Sequence, residues 1–395
     1  MATKDIAFLS ATELGSAIKS KEISPVEAVE AYLDRIERID PQVNSYITVM
    51  AKQARQEALE AEKEIRRGDY RGPLHGIPMG IKDQIYTKGV RTTDASKIRS
   101  DFIPKFDATV VTNLKKAGAI VLGKLNMSEF AMGDAFEHPY GRPHNPWDLS
   151  RNAGTSSSGS GAATAAFLCA TSLGEDTGGS IRGPASFCGL VGIRPSWGRV
   201  SRHGVLGASW SMDQVGPISR TVSDCAMTLG AIAGHDPKDG YTWDVPVPDY
   251  RAALDANLAG KRIGIVTELM NADGIDPEVQ SAVSQAANTL AELGARVEET
   301  SIPLANHANT ISSVLRVEAP TNYRDLIRNR LREINHDNRI AYLTWSLTPA
   351  LAYYKALKLR ALLRQQIIKT LTGFDVLLMP TMGISAPKIE PDPVI

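Results

Sequence analysis

Residues 154–185 read GTSSSGSGAATAAFLCATSLGEDTGGSIRGPA, and this stretch decides how the rest of the chain is read. Its front end, Gly154-Thr155-Ser156-Ser157-Ser158-Gly159-Ser160-Gly161, has the composition of a flexible linker. A linker would separate two compositionally distinct halves. Here an apolar, Ala-rich segment, Ala162 to Leu173, follows at once. Its small residues predict a buried helix running into a short strand at Thr171–Leu173. A second glycine cluster, Gly178-Gly179, leads directly into Ser180. Two serines held by tight turns, one on each side of a buried element, have the layout of a nucleophile and its helper.

Upstream, Ser24-Pro25-Val26-Glu27 is a helix start: Ser24 caps, Pro25 fits the first helical position, and Glu27 completes a capping box. Val26, Val29, Leu33 and Ile36 then recur at helical spacing, and Asp40-Pro41 is expected to end the helix. A charged helix from about Ala51 to Arg67, stopped by Gly68, presents a solvated face. These make a helical N-terminal segment of about residues 1–70. Gly76-Ile77-Pro78-Met79-Gly80-Ile81-Lys82-Asp83 contains a short apolar run that predicts a buried strand closed by Lys82. A lysine at a strand end is ordinarily a surface charge. Desolvated at a cleft edge, it becomes a base instead.

Further along, Val110, Val111, Leu114 and Ala117 form an apolar helix face, Gly118 stops it, and Ala119–Leu122 reads as a buried strand. Gly118 to Leu125 nearly matches a phosphate-binding loop but has Leu125 where Ser or Thr is required, so nucleotide binding is rejected. Strands are expected at Leu190–Ile193, Lys261–Val266, Ala295–Thr300 and Val376–Pro380, with helices at Val222–Ala233 and Pro277–Leu293. Helices dominate 307–372, with Leu351, Tyr354, Leu357 and Ala361 on one face. Strand–helix–strand order implies a right-handed crossover. No linker divides the chain. The expected fold is α/β, one large domain over 1–395 with a mixed, mostly parallel central sheet flanked by helices.

The composition is that of an ordinary globular protein, 43% hydrophobic and 22% charged, so a substantial core is available. A net charge of +0 gives no electrostatic footprint for nucleic acid or an acidic membrane surface. Cys169, Cys188 and Cys225 form no CxxC pair and fit reduced, buried thiols in a cytoplasmic protein. The N-terminus shows no signal-peptide pattern, and no stretch is long and apolar enough to span a bilayer. There is no HExxH, no Cys/His metal spacing and no G-x-S-x-G elbow. No metal or cofactor is expected. His75, His144 and His203 are read as structural. A serine nucleophile needs a base, and lysine can serve. Backbone N–H groups of Thr177, Gly178, Gly179 and Ser180 are candidates for an oxyanion hole.

Taken together, these segments resemble the amidase signature hydrolases over nearly the whole chain. Gly76–Asp83 is similar to the family's lysine segment, and Gly123–Met127 with Glu129–Ala131 to its next motif. Ser156–Ser160 stands where the family has its SSGGS run, and Asp176–Arg182 matches its nucleophile loop; Ser211–Pro217 and Pro380-Thr381 add agreement. The resemblance implies Ser180 as nucleophile, Ser156 after a cis peptide bond as bridging serine, and Lys82 as base. It implies Ala131 and Met132 in an acyl pocket. Trp210 is read as a core residue, with a place near that pocket as the other option. The chain departs from the pattern at Thr155 and Ser158, where glycines are usual, and at Glu175, where a small polar residue is usual. It also ends soon after Pro380-Thr381, as a short variant or a fragment would. The expected function is an amidase acting through an acyl-enzyme on a small-molecule amide, with a homodimer as one oligomeric option. The alternative is the amidase subunit of a glutamyl-tRNA amidotransferase. That subunit usually carries a basic, glycine-containing segment which 328–354 lacks. A catalytically silent binding protein is the third class, opposed by the intact Lys82, Ser156 and Ser180.

Overall fold

Both N-terminal helix starts are built by reciprocal caps. In the computed structural model, which describes residues 6–133 and 137–390, the helices α1 (Ala11–Lys19) and α2 (Pro25–Val43) begin at Ser10 and Ser24. Ser24 Oγ accepts from the Glu27 N–H at 3.1 Å and Glu27 Oε2 accepts from the Ser24 N–H at 2.8 Å. The helix does not stop at Asp40-Pro41 as expected. It passes through Pro41 and ends at Asn44, whose φ of 55° is left-handed. The Asp40 carboxylate meanwhile accepts the N–H groups of Ser45 at 2.7 Å and Tyr46 at 3.2 Å, the first residues past the helix. The charged helix α3 spans Ala51–Arg67 and is capped by Gly68, as expected.

The strands β1 (Tyr46–Val49), β2 (Pro78–Lys82), β3 (Ile120–Leu125), β6 (Thr171–Asp176), β7 (Val191–Gly192) and β8 (Gln214–Ser219) form a six-stranded sheet, while β4 (His144–Asn145) and β5 (Asp148–Asn152) pair as a separate hairpin. The order is β1-β3-β2-β6-β8-β7. Its middle is parallel, β2 with β3 and β2 with β6, and its flanks are antiparallel. The sheet is therefore mixed, with less parallel pairing than expected, because β1 and β8 return alongside their neighbours. β2, β3 and β6 are buried along their whole length. Parallel β2 and β6 end at the same sheet edge, the place where α/β proteins put their chemistry. Helices α4 (Thr109–Lys116), α5 (Ser158–Ala165), α6 (Arg182–Phe187) and α7 (Val222–Ile232) accompany them. Leu14, Ile18, Val29 and Tyr32 of the N-terminal helices share one core cluster with Met79, Ile81, Val121 and Leu173 of the sheet.

The chain gathers into two compact units. The first comprises residues 1–254, 324–340 and 388–395, the second 255–323 and 341–387. The second unit holds a parallel three-stranded sheet, β10-β9-β11, made of β9 (Arg262–Val266), β10 (Arg296–Thr300) and β11 (Val376–Leu378). A long helix, Ala350–Leu371, contributes Leu363 and Ile367 to a cluster with Val266, Ile302 and Ala305. Its expected apolar face is not the buried one: Leu351 is 80% and Tyr354 62% exposed, while Ala356 is buried. The helix carries apolar residues on several sides, so periodicity alone does not select the packed stripe.

Candidate active site

The Ser/Gly stretch is not a linker. Gly154 has φ +88° and a Cβ there would lie 2.5 Å from Pro184 Cα, while a Cβ at Gly159 would lie 2.4 Å from the Asn126 carbonyl oxygen. Backbone packed this closely admits only glycine at both positions. Gly154 thus lets the chain before α5 press against α6 at Gly183 and Pro184, and Gly159 lets the first turn of α5 press against Asn126, just past β3.

This packing brings the end of β2 against Ser156. Lys82 is fully buried, and its Nζ donates to Ser156 Oγ at 2.8 Å and to the Glu175 carbonyl at 3.2 Å. The Thr155–Ser156 peptide is cis, as the resemblance implies. Burial lowers the Lys82 pKa from the ordinary lysine value, opposed by the charge of Glu175. Ser180 lies in the loop between β6 and α6 and is half-buried. Its carbonyl accepts the Ser157 N–H at 3.3 Å, which ties this loop to the residue next to Ser156. No hydrogen bond joins the Ser180 hydroxyl to Ser156 among the described residues.

Asp176, the last residue of β6, shapes that loop. Its fully buried carboxylate accepts the N–H groups of Gly179 at 2.7 Å and Ile181 at 3.1 Å, and both Nε and Nη2 of Arg182 at 3.0 Å. Arg194 Nε lies 3.3 Å away. Burial alone would raise the Asp176 pKa, but the hydrogen bonds and charges of Arg182, with Arg194 behind them, bring it below the usual carboxylate value. The Gly179 N–H is therefore committed to Asp176. The N–H groups of Thr177, Gly178 and Ser180 make no hydrogen bond among the described residues.

Other expected residues fall nearby or elsewhere. Ala131 is buried in a small apolar cluster with Ala95, Met127 and Ala208, and both it and Phe130 are left-handed, φ 56° and 55°. Trp210 is not a core residue: it is 44% exposed, and its ring centroid lies 5.5 Å from that of Tyr241, the planes tilted by 35°. Gly123 and Lys124 belong to β3 rather than to a phosphate loop. Lys124 is buried, donating to the Asp83 carbonyl at 3.2 Å and Thr92 Oγ1 at 2.9 Å. His75 Nδ1 accepts the Arg71 N–H at 3.1 Å, a structural task. Cys169, Cys188 and Cys225 are free and buried, their thiol pKa values raised by burial to about 11, 12 and 12. Among the described residues no His/Cys/Asp/Glu cluster could hold a metal, and no helix is long and apolar enough to cross a membrane.

Sequence reasoning misses the side chains behind the loop. It marks Glu175 only as a departure and Asp176 only as a motif position, and it does not single out Arg194 or Asp213 as site groups. The signal for Glu175 is that departure itself, a carboxylate one residue before Asp176.

A sequence model of one family, described as Amidase, matches residues 27–393. The chain belongs to the amidase family. Among curated relatives, a glutamyl-tRNA(Gln) amidotransferase subunit from Moorella thermoacetica is 44% identical over 402 residues, covering 95% of this amidase and 82% of the relative. The subunit of the same name from Geotalea daltonii is 44% identical, covering 96% and 84%. Among solved structures, a vestigial protein complex bearing on the origins of an s-triazine catabolic enzyme superposes with TM-score 0.92 at 34% identity, over 96% of this chain and 83% of that one. The peptide amidase of Stenotrophomonas maltophilia gives TM-score 0.78 at 32% identity, over 88% and 77%. This amidase is a hydrolase of carbon–nitrogen amide bonds on an α/β fold with a mixed central sheet.

Proposed function

We propose that this amidase cleaves a small amide through an acyl-enzyme on Ser180, using Ser156 and Lys82 to move the proton. The carrying observation is the buried 2.8 Å contact of Lys82 Nζ with Ser156 Oγ, set beside a loop whose Ser180 carbonyl is held by the Ser157 N–H. Ser180 Oγ attacks the amide carbonyl while its proton passes to Ser156, and the Ser156 proton passes to the free amine of Lys82. The oxygen that gains charge is met by the N–H groups of Thr177, Gly178 and Ser180. As the tetrahedral adduct collapses, the proton returns through Ser156 to the departing amine. Water then attacks the acyl-enzyme, losing a proton along the same route, and Ser180 is regenerated. Ala131 serves as part of the acyl pocket.

The test is the purified protein alone against a panel of aryl, aliphatic and amino-acid amides. Turnover of any member without added subunits supports a stand-alone enzyme. A second reading is the amidase subunit of a glutamyl-tRNA amidotransferase, favoured by the 44% identity to curated subunits of that enzyme. On that reading the isolated chain stays inactive on the panel, and glutamine hydrolysis appears only with partner subunits.

A further inference from the structure

Reading Lys82 as a free amine meets a difficulty in the structure itself. Glu175 Oε2 lies 3.4 Å from Lys82 Nζ, and neither side chain has any exposure to solvent. A carboxylate at that distance favours the ammonium form, which cannot act as a base. The other Glu175 oxygen is linked to a second carboxyl group through the Thr177 hydroxyl. Thr177 Oγ1 lies 3.0 Å from Glu175 Oε1 and 2.7 Å from Asp213 Oδ1. A hydroxyl has one proton to donate. It can bond fully to both oxygens only by donating to one and accepting from the other, which requires one carboxyl to be protonated. With that proton on Asp213, Thr177 donates to Glu175 Oε1 and Glu175 stays a carboxylate toward Lys82, able to accept a proton on Oε2.

We propose that Glu175 is a positioning residue for the base: it shares one buried proton with Lys82 and takes up the proton that Lys82 releases on becoming the free amine. This rests on the reading of Lys82 as base. In the step, an N–H bond of the ammonium breaks and an O–H bond forms on Glu175 Oε2. A charged pair becomes a neutral pair, no proton leaves for solvent and nothing is oxidised. Rotation about Cε–Nζ then turns the lone pair toward Ser156 Oγ. Low dielectric around the pair makes the neutral form competitive.

The surroundings fit this role. The charged groups that face the pair are Asp94 from the loop after β2, Asp176 on β6, Asp213 from the loop before β8, and Arg194 from the loop after β7. Asp176 is neutralised by Arg182 and Arg194. Asp94 is fully buried, and burial pushes its carboxyl up to about 7. Burial likewise raises Glu175 to about 8 against the pull of Lys82, and raises Asp213 against its Thr177 hydrogen bond.

The deciding experiment is the pH dependence of kcat/KM for wild type and Glu175→Gln. A lone lysine releases its proton in one step, whereas a pair sharing one proton ionises in two macroscopic steps. Wild type is expected to rise in two steps separated by a plateau. Glu175→Gln, which keeps the shape and an oxygen for Thr177, is expected to rise in one. Identical single-step profiles overturn the proposal. If the variant does not fold, a single step in wild type alone overturns it. Infrared spectra supply a readout free of activity: a protonated-carboxyl C=O band near neutral pH that Glu175→Gln removes. No loss of that band also overturns the proposal. An inactive wild type that still shows the Glu175 band instead refutes the amidase reading and leaves the shared proton standing.

Discussion

Asp176→Asn tests whether the loop that carries Ser180, the proposed nucleophile, is held by the carboxylate behind it. The wild-type carboxylate is fully buried and serves both oxygens, one to Gly179 N–H and Arg182 Nη2, the other to Ile181 N–H and Arg182 Nε. An amide keeps one acceptor oxygen. Placed to serve Ile181 and Arg182 Nε, its NH2 then faces three donors, Gly179 N–H, Arg182 Nη2 and Arg194 Nε. The lost Gly179 bond, part-buried and charge-assisted, is worth about 1.5–3 kcal/mol. The Arg182 side chain is 47% exposed, so its share is discounted to about 0.5–1 kcal/mol. The expected loss of stability is about 2–4 kcal/mol, read as a lower urea midpoint. Because the released loop carries Ser180, kcat/KM should also fall by about 100-fold or more. A variant with the wild-type urea midpoint and kcat/KM within twofold would refute the role given to Asp176.

Acid should remove the same contribution. The folded-state pKa of Asp176 lies below the ordinary carboxylate value, so its stabilisation is complete above the unfolded pKa of about 3.9 and is lost as pH falls through the folded value; urea midpoints at neutral and low pH should fall less in Asp176→Asn than in wild type. Lys82→Ala should lower kcat by about 10²–10⁴-fold near neutral pH, with partial recovery at high pH, seen in a rate profile. Gly159→Ala would set a Cβ 2.4 Å from Asn126 O and 2.5 Å from both Asn126 N and Ser45 O, all backbone, and should cost about 1–3 kcal/mol or more by thermal unfolding. Dialysis against a chelator should leave turnover unchanged; a loss restored by a metal ion would give the site a metal.

Much of the fold is legible in the sequence because it is local. The capping box at Ser24, the stop at Gly68 and the strand ending at Lys82 depend on neighbours within a few residues. Strand β1 escapes such a reading, since Tyr46–Val49 is too short for periodicity to register and is defined by pairing with β3. Pro41 reads as a stop because proline ordinarily ends a helix, whereas here the helix runs on to Val43 and the Asp40 carboxylate takes up the N–H groups of Ser45 and Tyr46 just beyond it. The meeting of Lys82 with Glu175 spans 93 residues and exists only because β2 and β6 run parallel with Ile81 opposite Leu173. Spacing along the chain carries no trace of such an encounter. The Ser156 and Ser180 positions are legible through their motifs, whereas the commitment of the Gly179 N–H to Asp176 appears only in the folded loop.

The most direct test of the amidase account is intact-mass analysis of the protein quenched during turnover of an activated ester or aryl amide, followed by peptide mapping. The account requires one added acyl group per chain, located on Ser180 and absent from Ser180→Ala. An adduct on another residue, or full turnover by Ser180→Ala, would contradict it.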